Sequence, residues 1–280
     1  MRERRNIRLQ LHSERQVAVS RPKKKIVLFL VEGNTDINVL ASPMQSLFDK
    51  YSSPDNSFIV EFCTYRENNN SGGDVTSSNG VTPDNIEGVI SKNFIEPFMA
   101  RNPQYYVKDI CEVIQIVDLD GAFIPEEKIE KRNDDKDISV EYSLSSITAK
   151  DPSSILDRNI RKSANLQRLV GMSEIGISKN GGKNTKTVKY SVYYFSCNMD
   201  HCIHNVLNAT TQEKITLSDS FMCKYDEIDS FYDYLIGQSI CKNSDYQQSW
   251  EYVMKEGTSS LERCTNLNIL IDKVKNLSAC

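Results

Sequence analysis

Two aspartates with one residue between them carry the strongest chemical signal in the sequence. Asp118 and Asp120 end an apolar run, residues 114–117, and Gly121 follows them. Because side chains alternate between the two faces of a β-strand, both carboxylates lie on one face if the strand continues to Asp120. Two like charges at the end of a buried strand are costly unless a cation lies between them, and carboxylate oxygens suit Mg²⁺ or Mn²⁺. The pair therefore predicts a divalent metal site.

A third carboxylate, Glu32, ends an earlier apolar run, residues 25–31. Asn34 or Thr35 is predicted to cap a following helix, and Asp36 lies about one helical turn beyond Glu32. The carboxyl ends of buried parallel strands open into the crevice in which α/β proteins bind their ligands. We therefore expect Glu32 to meet the aspartate pair there as the catalytic set, and Asp36 to join them as a metal ligand.

Strand and helix patterns alternate along most of the chain, which predicts an α/β fold with a mostly parallel sheet flanked by helices. We divide the chain into a basic N-terminal arm (residues 1–25), an α/β domain (26–210) and a helical C-terminal appendage (211–280). The domain contains a loop insertion at about residues 66–85, to which the sequence assigns no role. The charged segment 126–146 is predicted to be solvated, because no apolar strand positions its acids.

The charge is distributed unevenly. The chain of 280 residues has a formal net charge of −4, but residues 1–25 hold nine Lys or Arg against two Glu, so the remaining residues carry −11. This acidic balance argues against broad, non-specific DNA affinity. No apolar run approaches the ~20 residues of a membrane span, and no secretory signal is evident. The eight cysteines include no C-x-x-C pair, which favours reduced thiols in a cytoplasmic protein.

Three motifs together resemble a known family. An apolar strand ending in E-G-x-x-D, followed after an insertion by an apolar strand ending in D-x-D-G, resembles the TOPRIM domain of topoisomerases, primases and OLD-type nucleases. The chain is most similar to the small TOPRIM proteins of bacterial anti-phage defence, the RloB-like and AriB-like group. Residues 192–206 are similar to the strand–S-N-P-x-F-E–helix segment of RloB-like proteins, with Cys197 inserted and with Met199 and Asp200 in place of Pro and Glu. The resemblance covers residues 26–207.

The resemblance implies a TOPRIM-like nuclease that uses Mg²⁺ or Mn²⁺ to cleave a nucleic-acid phosphodiester in anti-phage defence. Two divalent ions can clamp the attacking and leaving oxygens of such a reaction. Asp118 and Asp120 would hold one ion, Glu32 would bridge to a second or act as general acid and base, and Asp200 would be an auxiliary ligand. The substrate would be a tRNA-like RNA or DNA. An ABC-type ATPase partner and a homo-oligomer are further expectations.

Basic residues offer candidate contacts to the substrate. Lys183 and Lys186 lie in a Gly-containing segment, residues 179–189, directly before a predicted strand. Either lysine could neutralise charge on the scissile phosphate, and a solvated loop is the alternative interpretation. The helix predicted at residues 152–170 carries four basic residues, which either guide a nucleic-acid backbone or form the polar face of an ordinary amphipathic helix.

Two other functions remain open at this point. The D-x-D-G motif also resembles the nucleophile motif of haloacid dehalogenase phosphatases, in which Asp118 would be the nucleophile and Asp120 the acid. That family places its motif on the first strand and commonly has Thr after the Gly, whereas this motif comes late and Ala122 follows. The second alternative is a non-catalytic TOPRIM-like binding subunit of an ATPase-containing complex.

Overall fold

The described part of the chain is organised around a five-stranded β-sheet. The computed structural model describes residues 25–52, 57–67, 70–134, 138–178, 185–255 and 257–277, so the predicted N-terminal arm lies outside it except for Lys25. In chain order the strands are β1 (Lys25–Val31), β2 (Phe58–Thr64), β3 (Arg66–Glu67), β4 (Asn70–Ser71), β5 (Ile110–Asp118), β6 (Ile129–Lys131), β7 (Val140–Tyr142), β8 (Ile147–Ala149), β9 (Glu174–Ser178) and β10 (Thr185–Phe195). The central sheet has the order β2-β1-β5-β10-β9, in which only β9 runs antiparallel. The predicted α/β fold with a mostly parallel sheet is confirmed.

Helices lie on both faces of the central sheet. They are α1 (Asn34–Lys50), α2 (Ile86–Ile90), α3 (Glu96–Arg101), α4 (Pro152–Val170), α5 (Thr211–Met222), α6 (Ile228–Gly237), α7 (Tyr246–Met254) and α8 (Leu267–Leu277). A π-helical turn, Ser91–Ile95, joins α2 to α3. None of the helices in the described ranges combines the length and the apolar composition that crossing a membrane requires.

Strand β1 shows why the sheet is covered on both faces. All of its residues except the first are buried. Ile26 and Leu28 pack into the core that contains the apolar side chains of α2, α3 and α4, whereas Phe29 and Val31 pack with α1, α6 and α8. A strand that is buried on both faces needs a nearly continuous apolar sequence, which this segment provides. Because β1 lies between β2 and the central strand β5, its end and the residue after it lie beside the end of β5.

The C-terminal helices belong to the same core as the sheet. Phe231 of α6 and Ile271 of α8 are buried in the cluster that contains Phe29 of β1. On the opposite face, Trp250 of α7 lies edge-on to Tyr194 of β10, with ring centroids 4.9 Å apart. The region predicted as a helical appendage is helical, and it covers both faces of the sheet.

The segment 126–146 differs from its prediction as a solvated stretch. Within it β6 and β7 join β8 in a small sheet of order β6-β8-β7. The buried side chain of Arg132 pairs with Asp134 at 3.0 Å and with Glu141 at 2.7 Å. Strands of three residues are too short to leave a recognisable alternation of apolar and polar side chains, so the sequence does not reveal them.

The start of helix α1 also differs from its prediction. The helix begins at Asn34, so that neither Asn34 nor Thr35 caps it. Instead the backbone N–H of Gly33 donates to Asp36 Oδ2 at 2.7 Å, which satisfies one amide at the helix start. This bond holds the Asp36 carboxylate close to the end of β1.

Candidate functional site

Two of the predicted site residues meet where the parallel strands β1 and β5 end. Glu32 directly follows β1, Asp118 is the last residue of β5, and the two strands are neighbours in the sheet. Glu32 Oε1 accepts a hydrogen bond from the backbone N–H of Asp118 at 3.1 Å. The fold thus brings together two acids that are 86 residues apart in the sequence.

Asp120 does not share a strand face with Asp118, contrary to the prediction. Strand β5 ends at Asp118, and Asp120 and Gly121 have positive φ angles of 49° and 69°. The backbone N–H of Asp120 donates to the carbonyl oxygen of Cys197 at 2.6 Å. Because two successive left-handed residues turn the chain away from the strand direction, the alternation that would align the two carboxylates stops at Asp118.

Gly121 is required at this turn for two reasons, its positive φ and its tight surroundings. A Cβ atom on Gly121 would lie 2.8 Å from Leu261 Cδ2 and 2.9 Å from Ile147 Cδ1. We expect Gly121→Ala to lower the free energy of unfolding by about 2–4 kcal/mol, the sum of left-handed strain and overpacking. Gly80→Ala is the matched control, because Gly80 has a φ of +77° but open space around it, and strain alone should cost about 1–2 kcal/mol. Equal losses in urea denaturation would contradict the packing argument.

A buried lysine holds the Asp120 carboxylate. The side chain of Lys162, on α4, has no exposed surface, and its Nζ lies 2.6 Å from Asp120 Oδ2, 3.0 Å from Asp74 Oδ2 and 3.9 Å from Glu32 Oε1. Burial alone would lower the pKa of the Lys162 ammonium, but the three acids raise it well above its usual value. In the sequence Lys162 is one of four basic residues on an amphipathic helix, and no local signal marks it as buried.

Tyr142 and Arg158 complete the contacts of Asp120. The Tyr142 hydroxyl donates to Asp120 Oδ1 at 3.2 Å. Arg158 donates to the hydroxyl oxygen of Tyr142 at 2.9 Å and to the backbone carbonyl of Asp120 at 2.8 Å. Burial alone would raise the pKa of Asp120, but the Lys162 and Arg158 cations lower it below its usual value. Asp120 is therefore an ionised carboxylate whose two oxygens already have protein donors.

The predicted loop insertion packs over Glu32. The backbone N–H of Gly73 donates to the carbonyl oxygen of Glu32 at 3.0 Å, and the next residue, Asp74, pairs with the buried lysine. Asn165 of α4 fixes the loop from the other side by donating to the carbonyl oxygen of Thr76 at 2.8 Å. Asp74 is thus a site residue that the sequence does not reveal, because it lies in a polar stretch without periodicity.

The carboxylates on the Asp118 side of the crevice are less completely compensated, because Lys162 Nζ lies 3.9 Å from Glu32 Oε1 but 2.6 Å from Asp120 Oδ2. Burial raises the pKa of both Glu32 and Asp118 well above their usual values; Lys162 offsets part of this shift, and neighbouring acids add to it. Burial also raises the pKa of Asp36 to about 6, and the nearby Asp200 adds to the shift. Several adjacent acids with raised pKa values are typical of a site that holds a proton or binds a cation.

The segment that contains Asp200 contacts Asp118 through the neighbouring residue, Met199. The backbone N–H of Met199 donates to Asp118 Oδ1 at 2.9 Å, and Asp200 Oδ2 pairs with Lys214 Nζ at 2.8 Å. The Asp200 side chain is only 4% exposed, and its Oδ1 has no hydrogen-bond partner among the described residues. Instead of the predicted helix, the segment forms a π-helical turn, Asp200–His204. A buried carboxylate oxygen without a donor is costly, and a bound cation would remove the cost.

Lys186, one of the two lysines predicted to bind the substrate, is not part of this crevice. Lys183 lies outside the described residues. Lys186 is exposed near the start of β10, whereas it is Phe195, at the end of that strand, that pairs with Asp118. Nine residues of strand separate the two ends by roughly 30 Å. Lys214, whose side chain is 40% exposed, is the cation that borders the crevice on the Asp118 side.

The carboxylates of the crevice have the ligand chemistry of a hard divalent cation, but their side chains do not converge on one point. Carboxylate oxygens from Glu32, Asp36, Asp118 and Asp200 are the ligand type that Mg²⁺ and Mn²⁺ prefer, and one of them is buried without a donor. In the part of the chain that the structure describes, no three His, Cys, Asp or Glu side chains converge as they would on a bound metal ion. The predicted ion therefore stays a prediction.

The raised pKa of Asp36 predicts a pH dependence of stability in metal-free protein. Its carboxyl group has an ordinary pKa of 3.8 and one of about 6 in the folded chain, so the folded state holds the proton more tightly. This contribution to stability is complete below pH 3.8 and is lost as the pH rises to about 6. We expect Asp36→Asn to flatten that part of the curve of unfolding free energy against pH. Asp49→Asn, at an exposed position of the same helix, should leave the curve unchanged.

Comparison of the chain with protein-family models, with curated proteins and with solved structures found no match. The geometry and charge of the crevice therefore carry the functional argument.

Proposed function

We propose that the chain is a divalent-metal-dependent nuclease that cleaves a phosphodiester bond of tRNA-like RNA or DNA in the crevice beside Glu32 and Asp118. One observation carries the proposal. These two half-buried acids, distant in sequence, contact each other at the carboxyl ends of adjacent parallel strands, and their partial burial raises the pKa of both. The resemblance of the two strand-end motifs to the TOPRIM domain supports the same interpretation.

The reaction class follows from the type of donor. When bound, Mg²⁺ or Mn²⁺ would polarise the scissile phosphate and lower the pKa of the attacking water. Glu32 and Asp118 would hold the ion, and Asp36 and Asp200 would complete its oxygen ligands. Glu32, whose pKa lies well above its usual value, would alternatively act as the general acid and base instead of holding the ion.

The positive side chains have separate roles in this proposal. Lys214 is partly exposed and pairs with Asp200 among the described residues, so it can turn to a phosphate oxygen of the substrate. Lys162 is fully buried and cannot touch the substrate, so it acts on the reaction only by holding Asp120 and Glu32 in place.

The biological setting rests on the resemblance. It supports a role in anti-phage defence, an ABC-type ATPase partner and a homo-oligomer in the cytoplasm. Reduced cysteines are consistent with that compartment. The following cysteines have free thiols: Cys111, Cys197, Cys202, Cys223, Cys241 and Cys264.

The test is a cleavage assay of the full chain on total tRNA, plasmid DNA and single-stranded DNA, with Mg²⁺, Mn²⁺ or a chelator. Cleavage that requires a divalent ion supports the proposal and identifies the substrate. Release of phosphate from small monoesters, without polymer cleavage, would contradict it in favour of a phosphatase. Binding of the ion without either reaction would contradict it in favour of a non-catalytic binding subunit.

A further inference from the structure

Both oxygens of the Asp120 carboxylate already have a donor from the protein. Its Oδ2 pairs with Lys162 Nζ at 2.6 Å, and its Oδ1 accepts the Tyr142 hydroxyl at 3.2 Å. Arg158 holds the backbone of the same residue at 2.8 Å. A divalent ion at Asp120 would therefore have to compete with the Lys162 ammonium and the other donors that the protein itself supplies.

The Lys162 ammonium cannot easily leave this position. Its helix, α4, is fixed on both sides of the lysine: Asn159 donates to the carbonyl oxygen of Gly121 at 3.0 Å, and Asn165 donates to that of Val81 at 3.2 Å. The Lys162 side chain is fully buried and lies within 4 Å of three carboxylates. Displaced, the ammonium would be a buried charge without a partner, which is strongly unfavourable.

The net charge of the crevice also limits the number of ions. Among the described residues, three cations face six acids in the crevice. The cations are Arg158, Lys162 and Lys214, and the acids are Glu32, Asp36, Asp74, Asp118, Asp120 and Asp200. When all of these groups are ionised, the net charge of the crevice is −3. One divalent ion would leave −1, and a second would reverse the sign. A second divalent ion would also lie close to the Lys162 ammonium, and two cations repel each other strongly inside a protein. The second ion is therefore disfavoured while Lys162 stays in place.

We propose that the Lys162 ammonium takes the place of a second divalent cation, so that the crevice binds one ion, on the Glu32–Asp118 side, and not two. Lys162 is then a built-in counter-charge for Asp120 and Asp74. The D-x-D pair is divided: Asp118 faces the ion, and Asp120 faces the lysine. This inference rests on the proposed metal-dependent function.

The test is the number of Mn²⁺ ions that the full chain binds at neutral pH, measured from the electron paramagnetic resonance signal of the free ion. We expect one tightly bound ion per chain. Two ions in the wild type would overturn the inference and leave the nuclease proposal standing. No bound ion would overturn both, because the proposed function needs at least one.

Variants show whether Lys162 sets that number. Lys162→Met should raise the count from one to two, since Asp120 and Asp74 then lack a counter-charge. Adding Asp120→Asn to that variant should return the count to one. Arg161→Met removes a cation of the same helix that, among the described residues, donates to the Ser77 carbonyl, and it should leave the count at one.

Circular dichroism selects the variants that fold. A folded Lys162→Met protein that still binds a single ion would contradict the role of the lysine. If Lys162→Met does not fold, the number of ions bound by the wild type and by Lys162→Met/Asp120→Asn decides. Two bound ions in either protein would overturn the inference.

Discussion

Asp118→Asn is expected to slow metal-dependent cleavage by on the order of 10³-fold, about 4 kcal/mol of transition-state stabilisation. Asp118 lies between the other acids of the proposed ion site, because its backbone N–H binds Glu32 and its Oδ1 accepts from Met199. Asparagine has the same shape and still accepts that hydrogen bond, but it has no charge with which to hold the ion. Single-turnover cleavage of the preferred substrate at saturating Mg²⁺ measures the loss.

Two further variants decide whether the loss belongs to the site. Asp219→Asn, at an exposed position of α5, removes the same charge outside the crevice and should leave the rate unchanged. Glu32→Gln keeps an oxygen that accepts from the Asp118 N–H and should lose a similar factor. A rate within threefold of the wild type for both Asp118→Asn and Glu32→Gln would show that cleavage, if present, occurs elsewhere.

The acids at the ends of β1 and β5 could be predicted from the sequence because their signals are local. Each follows a nearly continuous apolar run, and a buried strand needs such a run. Parallel neighbours then end at the same edge of the sheet, so Glu32 and Asp118 meet whatever the connection between them. The prediction that Glu32 and Asp118 meet needed only the apolar run of each strand and the rule that α/β proteins bind ligands at the carboxyl ends of their strands.

The residues around Asp120 could not be predicted, because their roles depend on contacts with residues that are distant in the sequence. Lys162 lies on a helix whose charged residues would by default be assigned to solvent, and its burial follows only from the acids that surround it. Asp74 comes from a polar loop and Tyr142 from a three-residue strand. The turn at Asp120 depends on backbone angles that the strand pattern does not encode. Two successive left-handed residues, Asp120 and Gly121, end the alternation that would align the carboxylates of Asp118 and Asp120.

The two sides of the crevice also differ in their cost to stability. On the Asp120 side, the lysine and arginine compensate the buried charge within the protein. On the Asp118 side, the raised pKa values of Glu32 and Asp118 show that the metal-free fold carries a penalty for ionising them. Such strained charge is common at functional sites, where a ligand relieves it. Binding of an ion should therefore stabilise the fold, whereas loss of Lys162 should destabilise it.

Lys162→Met is expected to lower the free energy of unfolding by about 3–5 kcal/mol at neutral pH, the usual cost of removing one partner of a buried ion pair. Methionine fills most of the volume, so the loss reports charge and not a cavity. Asp120 and Asp74 are then left without the ammonium that lies 2.6 Å and 3.0 Å from them. Urea denaturation of metal-free protein measures the difference.

The sign of the pH dependence separates this charge effect from a packing effect. In the wild type the pKa of Asp120 lies below its usual value of 3.8, so the stability from its ion pair is present above that pH and is lost as the pH falls through the lowered pKa. In the variant, Asp120 loses that cation and should take up a proton more readily. The difference between the two proteins should therefore shrink as the pH falls from 7 toward 4.

The double variant Lys162→Met/Asp120→Asn should recover part of the loss at neutral pH, because it removes the uncompensated charge. Arg161→Met, on the same helix, should change stability by less than about 1 kcal/mol, since the bond that Arg161 makes among the described residues goes to a backbone carbonyl. A Lys162→Met protein that is as stable as Arg161→Met, or whose deficit is the same at pH 4 and pH 7, would show that the buried ammonium does not stabilise the carboxylates around it.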